Sequence, residues 1–286
     1  MKLRRALGVL VVASFAAQAA AQDSVTIKIY DPKAGDRVRI TEEEKATSTT
    51  SAMGQGQEEK STKTLVYVEE CITPPAAAGK KPLKVIRTFE KIESSKGGRA
   101  AIGTELVGKP ILIEKKGDKY SFTVNGEGVT GPVADVLRQA YDKGDGPTAR
   151  DVLPTTPVKP GENWKIDIKK ALAGMTDDKF VVDTDKATMS GKLVKAYQKD
   201  GAGYGVIEMK ASMPITGLGP KNPLTIKPGS TLTMTMTSDG CIDGSTAAGE
   251  MTTTMTIKLE ATTMGIDVSV VADAIQKKTT VPLSKK

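Results

Sequence analysis

Along most of the chain apolar and polar residues alternate one for one. SVTIKIYD, Ser24 to Asp31, sets Val25, Ile27 and Ile29 against Thr26, Lys28 and Tyr30, the period of two that turns one side of a strand to a core and the other to water. Two threonine-rich runs follow, RVRITEEEKATSTTSAM and EEKSTKTLVYVEECIT, and with GQGQ (Gly54 to Gln57) between them they predict a long hairpin. PPAAAGKKP (Pro74 to Pro82) predicts a loop, and LKVIRTFEKIES, RAAIGTELVG, PILIEKK and YSFTVNG predict shorter strands, with SKGG and KGD turns between the clearest of them. ATMSGKLVKAYQKD and YGVIEMKASMPIT predict a hairpin around Gly201-Ala202-Gly203, and GLGPKNPLTIKPG a loop. TLTMTMTS and MTTTMTIKLEAT predict another hairpin across a glycine-rich break. IDVSVVADAIQKKTTVPL predicts a final strand, with helix as the competing reading of its second half.

The alternation yields to a helical period at GPVADVLRQAYDKG, Gly131 to Gly144. Pro132 suits a first turn, Val133, Val136, Leu137, Ala140 and Tyr141 fall on one face, and Gly144 is a stop. A helix with one apolar stripe has to lie on something, here a sheet face or else a membrane surface or a partner. A shorter helix is predicted from Lys169 to Met175. Three strand entries share one element, KAGDRVRI at Lys33, KPGENWKI at Lys159 and KPGSTLTM at Lys227, whose glycine after Ala or Pro fits a type II turn. No Pro/Ser-rich linker divides the chain, and Thr148 to Trp164 reads as a loop between sheet-like halves. The expected fold is mainly β: a single antiparallel, strongly curved sheet or open half-barrel with one or two short helices inserted mid-chain, forming one domain over residues 22–286.

Residues 1–21, MKLRRALGVLVVASFAAQAAA, combine a basic start, an apolar run from Ala6 to Ala17 and small residues at Ala19 and Ala21, the pattern of a cleaved secretory signal peptide. The expected location is therefore the periplasm or the extracellular space, and no later run reaches transmembrane length. Removing the leader takes away Lys2, Arg4 and Arg5, so the formal charge of +7 falls to +4. Lysines spread among acidic neighbours, with one Trp, six Tyr and four Phe, do not make a nucleic-acid surface.

Histidine is absent, which removes Ser-His-Asp and Cys-His catalysis and histidine-ligated metal sites. A carboxylate pair needs only two Asp or Glu facing a cleft, yet neither Glu42 to Glu44 nor Asp177-Asp178 is spaced to single one out. No enzyme, cofactor or metal is expected. Cys71 and Cys241, in an exported chain, are expected to form a disulfide.

The methionines carry the candidate site. Leu232, Met234 and Met236 share one strand face opposite Thr231, Thr233, Thr235 and Thr237; Met251, Met255, Ile257 and Leu259 share the other strand's apolar face. Paired, the strands give one apolar face with four thioethers. It reads as a packed core under the Val133 to Tyr141 helix, as the wall of a cavity for an acyl chain, or as a soft-metal site, the last lacking histidine co-ligands.

LPTTPVKPGENW, within Gly146 to Asp167, resembles a signature of an uncharacterised family of secreted bacterial β-rich proteins: a proline, a Pro-Val pair, then Gly, an acidic residue and Trp. Gly35-Asp36 before the threonine-rich hairpin and Asp239, Asp243 and Gly244 before MTTTMTIKLEAT match the same family. More remotely, the strand order resembles the periplasmic lipoprotein-carrier superfamily, which implies an unclosed half-barrel around a hydrophobic cavity with helices as a lid. No catalytic residues come with either resemblance. Independently of both, Trp164 after its Pro-Gly turn reads as a core anchor. The expected function is an exported, non-enzymatic binding protein for a lipid or lipoprotein acyl group. Met234, Met236, Met251, Met255, Ile257 and Leu259 would line the concave face, with Val136, Leu137 and Tyr141 in its lid. The rival expectation is a structural or adhesive envelope protein whose sheet is filled.

Overall fold

The computed structural model describes residues 24–77, 79–96, 103–141, 148–172, 180–219 and 224–285; the expected leader, residues 1–21, lies outside them. Among the described residues, fourteen strands make one antiparallel sheet. In chain order they are β1 (Arg37–Ala52), β2 (Gln55–Thr73), β3 (Lys84–Lys96), β4 (Pro110–Lys116), β5 (Lys119–Val124), β6 (Glu127–Gly128), β7 (Asn163–Lys165), β8 (Phe180–Val182), β9 (Thr188–Lys199), β10 (Ala202–Leu218), β11 (Thr225–Ile226), β12 (Thr231–Cys241), β13 (Gly249–Thr263) and β14 (Ile266–Leu283). In space the order is β6-β5-β4-β3-β2-β1-β14-β13-β12-β10-β9-β7, with β11 beside β13 and β8 beside β10. The sheet is not closed into a barrel. Three short helices accompany it among the described residues, α1 (Gly131–Tyr141), α2 (Ala149–Val152) and α3 (Ile168–Leu172), where one or two were expected.

The final strand is the join. β14 lies between β13 and β1, and pairs with β1 from Arg37↔Leu283 to Ala52↔Val268. Ladder partners on both sides as far as Thr280, and β1 alone from there to Leu283, keep it extended, which overturns the helical reading of its second half. The predicted hairpins form, the first through a two-residue turn at Met53-Gly54 with Gln55 already in the strand. At each of the three Lys-x-Gly elements the fourth residue's N–H donates to the lysine carbonyl, at 3.0 Å for Asp36, 3.0 Å for Glu162 and 3.4 Å for Ser230. Gly35, Gly161 and Gly229 take φ of 79°, 88° and 94°, the type II geometry.

Two expected strands are corrected. Ser24 to Asp31 makes only isolated bridges, Val25 to Val158 and Lys28 to Asp243; it crosses the sheet and spends its alternation on burying Ile27. Thr104–Leu106 is a 3-10 turn, entered through Gly103 at φ 94°, and residues 97–102 lie outside the described chain. The predicted ends of two helices, Gly144 and Met175, also lie outside it.

Strand alternation and register place two apolar clusters on the same side of the sheet, its inner face. One gathers Ile40, Leu65, Tyr67, Val85, Phe89, Ile111, Ile113 and Phe122 under Leu137 and Tyr141 of α1. The other gathers Leu193, Ile207, Met209 and Ile242 with Ile27, Val158, Ile166 and Ala171. Trp164 packs against the second. It stands opposite Gly191 in the β7/β9 ladder, and its Nε1 donates to the Val152 carbonyl at 3.0 Å. A Cβ on Gly191 would lie 2.2 Å from the indole Cε2. Gly191→Ala should therefore displace the ring and cost about 1–3 kcal/mol, read as a lower denaturation midpoint and a red shift of the only tryptophan's emission.

The expected disulfide does not form: Cys71 and Cys241 are both free. They lie four lanes apart, on the order of 19 Å, on opposite faces by alternation, and a disulfide needs Cα atoms within about 7 Å. Cys71 is buried and 4% exposed, and its thiol is pushed up by burial, with Asp36 and Glu69 adding to the effect. Under native conditions a maleimide should label Cys241 and leave Cys71 until the chain is unfolded, as peptide mapping would show.

Candidate functional site

The methionine strands pair in the register that alternation requires. Met234 faces Met255, Leu232 faces Ile257, Met236 faces Thr253 and Ser238 faces Met251. β10 extends the field, with Met209 opposite Met236, Ala211 opposite Met234 and Met213 opposite Leu232, and β9 adds Met189 opposite Ala211. Seven methionines thus lie on the inner face of four neighbouring strands. Met209, Met213 and Leu259 are buried, whereas Met189, Met234, Met236, Met251, Met255 and Ile257 are half-buried.

Beside this field the side chains shorten. On β14, Val268, Val270, Ala272 and Ala274 stand opposite Ala261, Leu259, Ile257 and Met255 of β13. On the other side they meet Ala52, Thr50, Ser48 and Ala46 of β1. Small residues on two adjacent lanes, next to long thioethers on a third, make a shallow trough about 20 Å long at ~3.4 Å per residue. Unbranched thioethers on one wall adapt to apolar shapes.

A polar seam ends the trough. Lys278 and Gln276 of β14 face Glu42 and Glu44 of β1, and Lys278 Nζ lies 3.2 Å from Glu42 Oε1. Tyr67 Oη donates to the same Glu42 oxygen at 3.0 Å. Burial raises the Glu42 carboxyl, but Lys278, Tyr67 and Arg87 outweigh it and hold the group below the usual carboxylate range. Beyond the seam Arg87 Nε and Nη2 donate to Glu69 Oε2 at 3.0 and 2.6 Å. Tyr141 Oη donates to that oxygen at 3.0 Å and accepts from Arg87 Nη2 at 2.9 Å. The guanidinium also lies 4.0 Å from the Tyr67 ring centroid. Burial opposes the Arg87 charge, and Tyr141, Glu69 and Tyr67 more than restore it. The Tyr141 phenol is raised well above its ordinary value by burial, with Glu69 adding to this against the pull of Arg87.

The expected site residues therefore separate into two groups. Met234, Met236, Met251, Met255, Ile257 and Leu259 share one continuous face. Leu137 and Tyr141 pack in the other cluster, against the β1 to β5 wing, on the far side of the seam; α1 is not the lid of the methionine field. The Val136 side chain lies outside what the structure describes. Sequence reasoning missed Met189, Met209 and Met213, and it missed the Arg87 network. Its signal was present: Arg87 lies in the inward phase of Val85 and Phe89, and Glu69 in that of Tyr67 and Cys71.

A second concavity, a cleft of about 660 Å³ between Thr26–Asp31, α2 and the Asp243 turn, mixes apolar residues such as Ile29, Leu153 and Pro154 with charged ones. Its Arg150 and Asp31 pair at 2.8 Å, and hydrogen bonds from Ser245, Gly203 and Cys241 hold the Asp243 carboxyl well below the usual range. Among the described residues no helix is long and apolar enough to cross a membrane.

No family model matches the chain, and no curated protein matches it. Among solved structures it is similar to an outer membrane channel from Pseudomonas putida F1, at 7% identity over 88% of this chain and 98% of the channel chain, with a TM-score of 0.18. That score is too low to carry a structural or functional argument.

Glu69→Ala should cost about 3–5 kcal/mol, because it strands a buried guanidinium. The double variant Glu69→Leu/Arg87→Met should recover most of that loss, and urea unfolding of the three proteins measures the difference.

Proposed function

We propose that the chain is a non-enzymatic binding protein that takes an acyl chain, or an apolar ligand of similar shape, along the inner face of β12, β13 and β14. One observation carries this reading: a half-buried methionine field lies in register beside a lane of small side chains, outside the cover of α1. A filled sheet would bury those thioethers fully. Each apolar side chain that a ligand removes from water contributes about 1.5–3 kcal/mol if fully buried, and here only part of that is available. The binding is therefore distributed over several residues, with no single polar anchor. The resemblance to periplasmic lipoprotein carriers points to the same ligand class and to an exported setting.

A fluorescent acyl-chain probe should bind the protein and be displaced by unlabelled lipid. Met234→Asp/Met255→Asp should weaken the probe about tenfold or more with an unchanged far-UV circular dichroism spectrum. Absence of probe binding to the wild-type chain, or equal binding by the variant, would sink the reading.

A further inference from the structure

Among the described residues, four two-residue turns have positive φ at both positions: Met53-Gly54 (51° and 76°), Asn125-Gly126 (52° and 86°), Asp200-Gly201 (52° and 78°) and Met264-Gly265 (48° and 78°). This is type I′ geometry, which Asn, Asp and Gly occupy at low cost. Two of the turns follow that rule. The other two place methionine in a left-handed conformation that suits it poorly, and leave it in water, 76% exposed at Met53 and 97% at Met264. Neither turn chemistry nor core packing explains that choice.

Register brings these two turns together. Ala52 pairs with Val268 and Thr263 with Ile266, so both tips leave the same end of the sheet. They lie about two lanes, or roughly 10 Å, apart, and Met264 reaches on the order of 7 Å further. Around them the chain is uncharged, from Ala46 to Gln57 and from Ala261 to Ile266, and rich in hydroxyls at Thr49, Thr50, Ser51, Thr262 and Thr263. The nearest acid on the second tip, Asp267, is paired with Lys227.

We infer that the two methionine tips form a docking site for an electrically neutral lipid surface. Two turn tips cannot supply the roughly 800 Å² per partner of a stable protein interface, but a bilayer asks for no complementary shape. Thioethers enter the acyl region while the flanking hydroxyls stay among headgroups. The lack of basic residues at the tips selects a neutral surface over an anionic one. The inference rests on the turns alone and stands independently of acyl-chain binding on the inner face.

Flotation with phosphatidylcholine vesicles tests it, comparing the wild-type chain with Met53→Asn/Met264→Asn prepared identically, so that the apolar run Ala6 to Ala17 contributes equally to both. Asparagine fits both turns, so the variant should melt at the same temperature or higher. The wild type should float with the vesicles at low and high salt alike, and the variant should lose about tenfold or more of that binding. Met234→Asp/Met255→Asp should float as the wild type does. The inference is overturned if the wild type stays in solution, if the tip variant floats equally well, or if binding needs anionic lipid and disappears in salt.

Discussion

The pairing of β1 with β14 is the constraint on which the rest depends. Among the described residues it is the only ladder joining the β1 to β6 wing to the β7 to β14 wing, and it sets their relation over sixteen positions, from Arg37↔Leu283 to Ala52↔Val268. A slip of one residue would turn every inward side chain of one wing outward relative to the other. The apolar pattern specifies the register only near Ile40, because from Thr47 to Ala52 the strand offers threonine, serine and alanine. The Glu42–Lys278 pair, with Tyr67 donating to Glu42, adds a charge and hydrogen-bond check at the middle. Since the pairing closes almost the whole chain, its entropy of closure falls late in folding and favours slow assembly.

That one register has three consequences. Both apolar clusters come to the same face, so helices and loops cover the two ends of the sheet and leave its centre to β1, β14 and β13. The charged seam falls between the α1 cluster and the methionine field, which separates the buried Arg87 network from the apolar trough. Both methionine-tipped hairpins leave the sheet at one end. None of these follows from a single strand, and each would be lost by a shift that kept every hairpin intact.

Local physics was legible in the sequence, and assembly was not. Alternation assigned the faces of Met234, Met255, Ile257 and Leu259, and the Lys-x-Gly entries gave their turn type, because strand period and φ preference act within a few residues. The helical period of Val133 to Tyr141 shows that α1 buries one stripe, but not on which strands, and it lies on the β1 to β5 wing. Compartment chemistry suggested a disulfide, yet Cys71 and Cys241 sit in opposite phases of strands four lanes apart. Arg87 and Glu69 were legible in retrospect as charges in the inward phase of adjacent strands; only the ladder shows that they meet. Met53 and Met264 stand out once their φ values and exposure are known.

The seam also constrains the ligand proposed for the trough. A chain lying along Val268 to Ala274 meets Gln276 and Lys278 at one end and the hairpin tips at the other. Lys278 is engaged by Glu42, and the next cation inward, Arg87, is committed to Glu69. A free carboxylate placed at the seam would compete with glutamates already in place, so its desolvation would go uncompensated. An acyl chain bound as proposed, with its polar end by the hydroxyls of Thr49, Thr50, Thr262 and Thr263, would have no such conflict, since only its hydrocarbon would reach along β14. The seam thus sets the orientation of the proposed ligand, with its polar end away from Glu42 and Glu44.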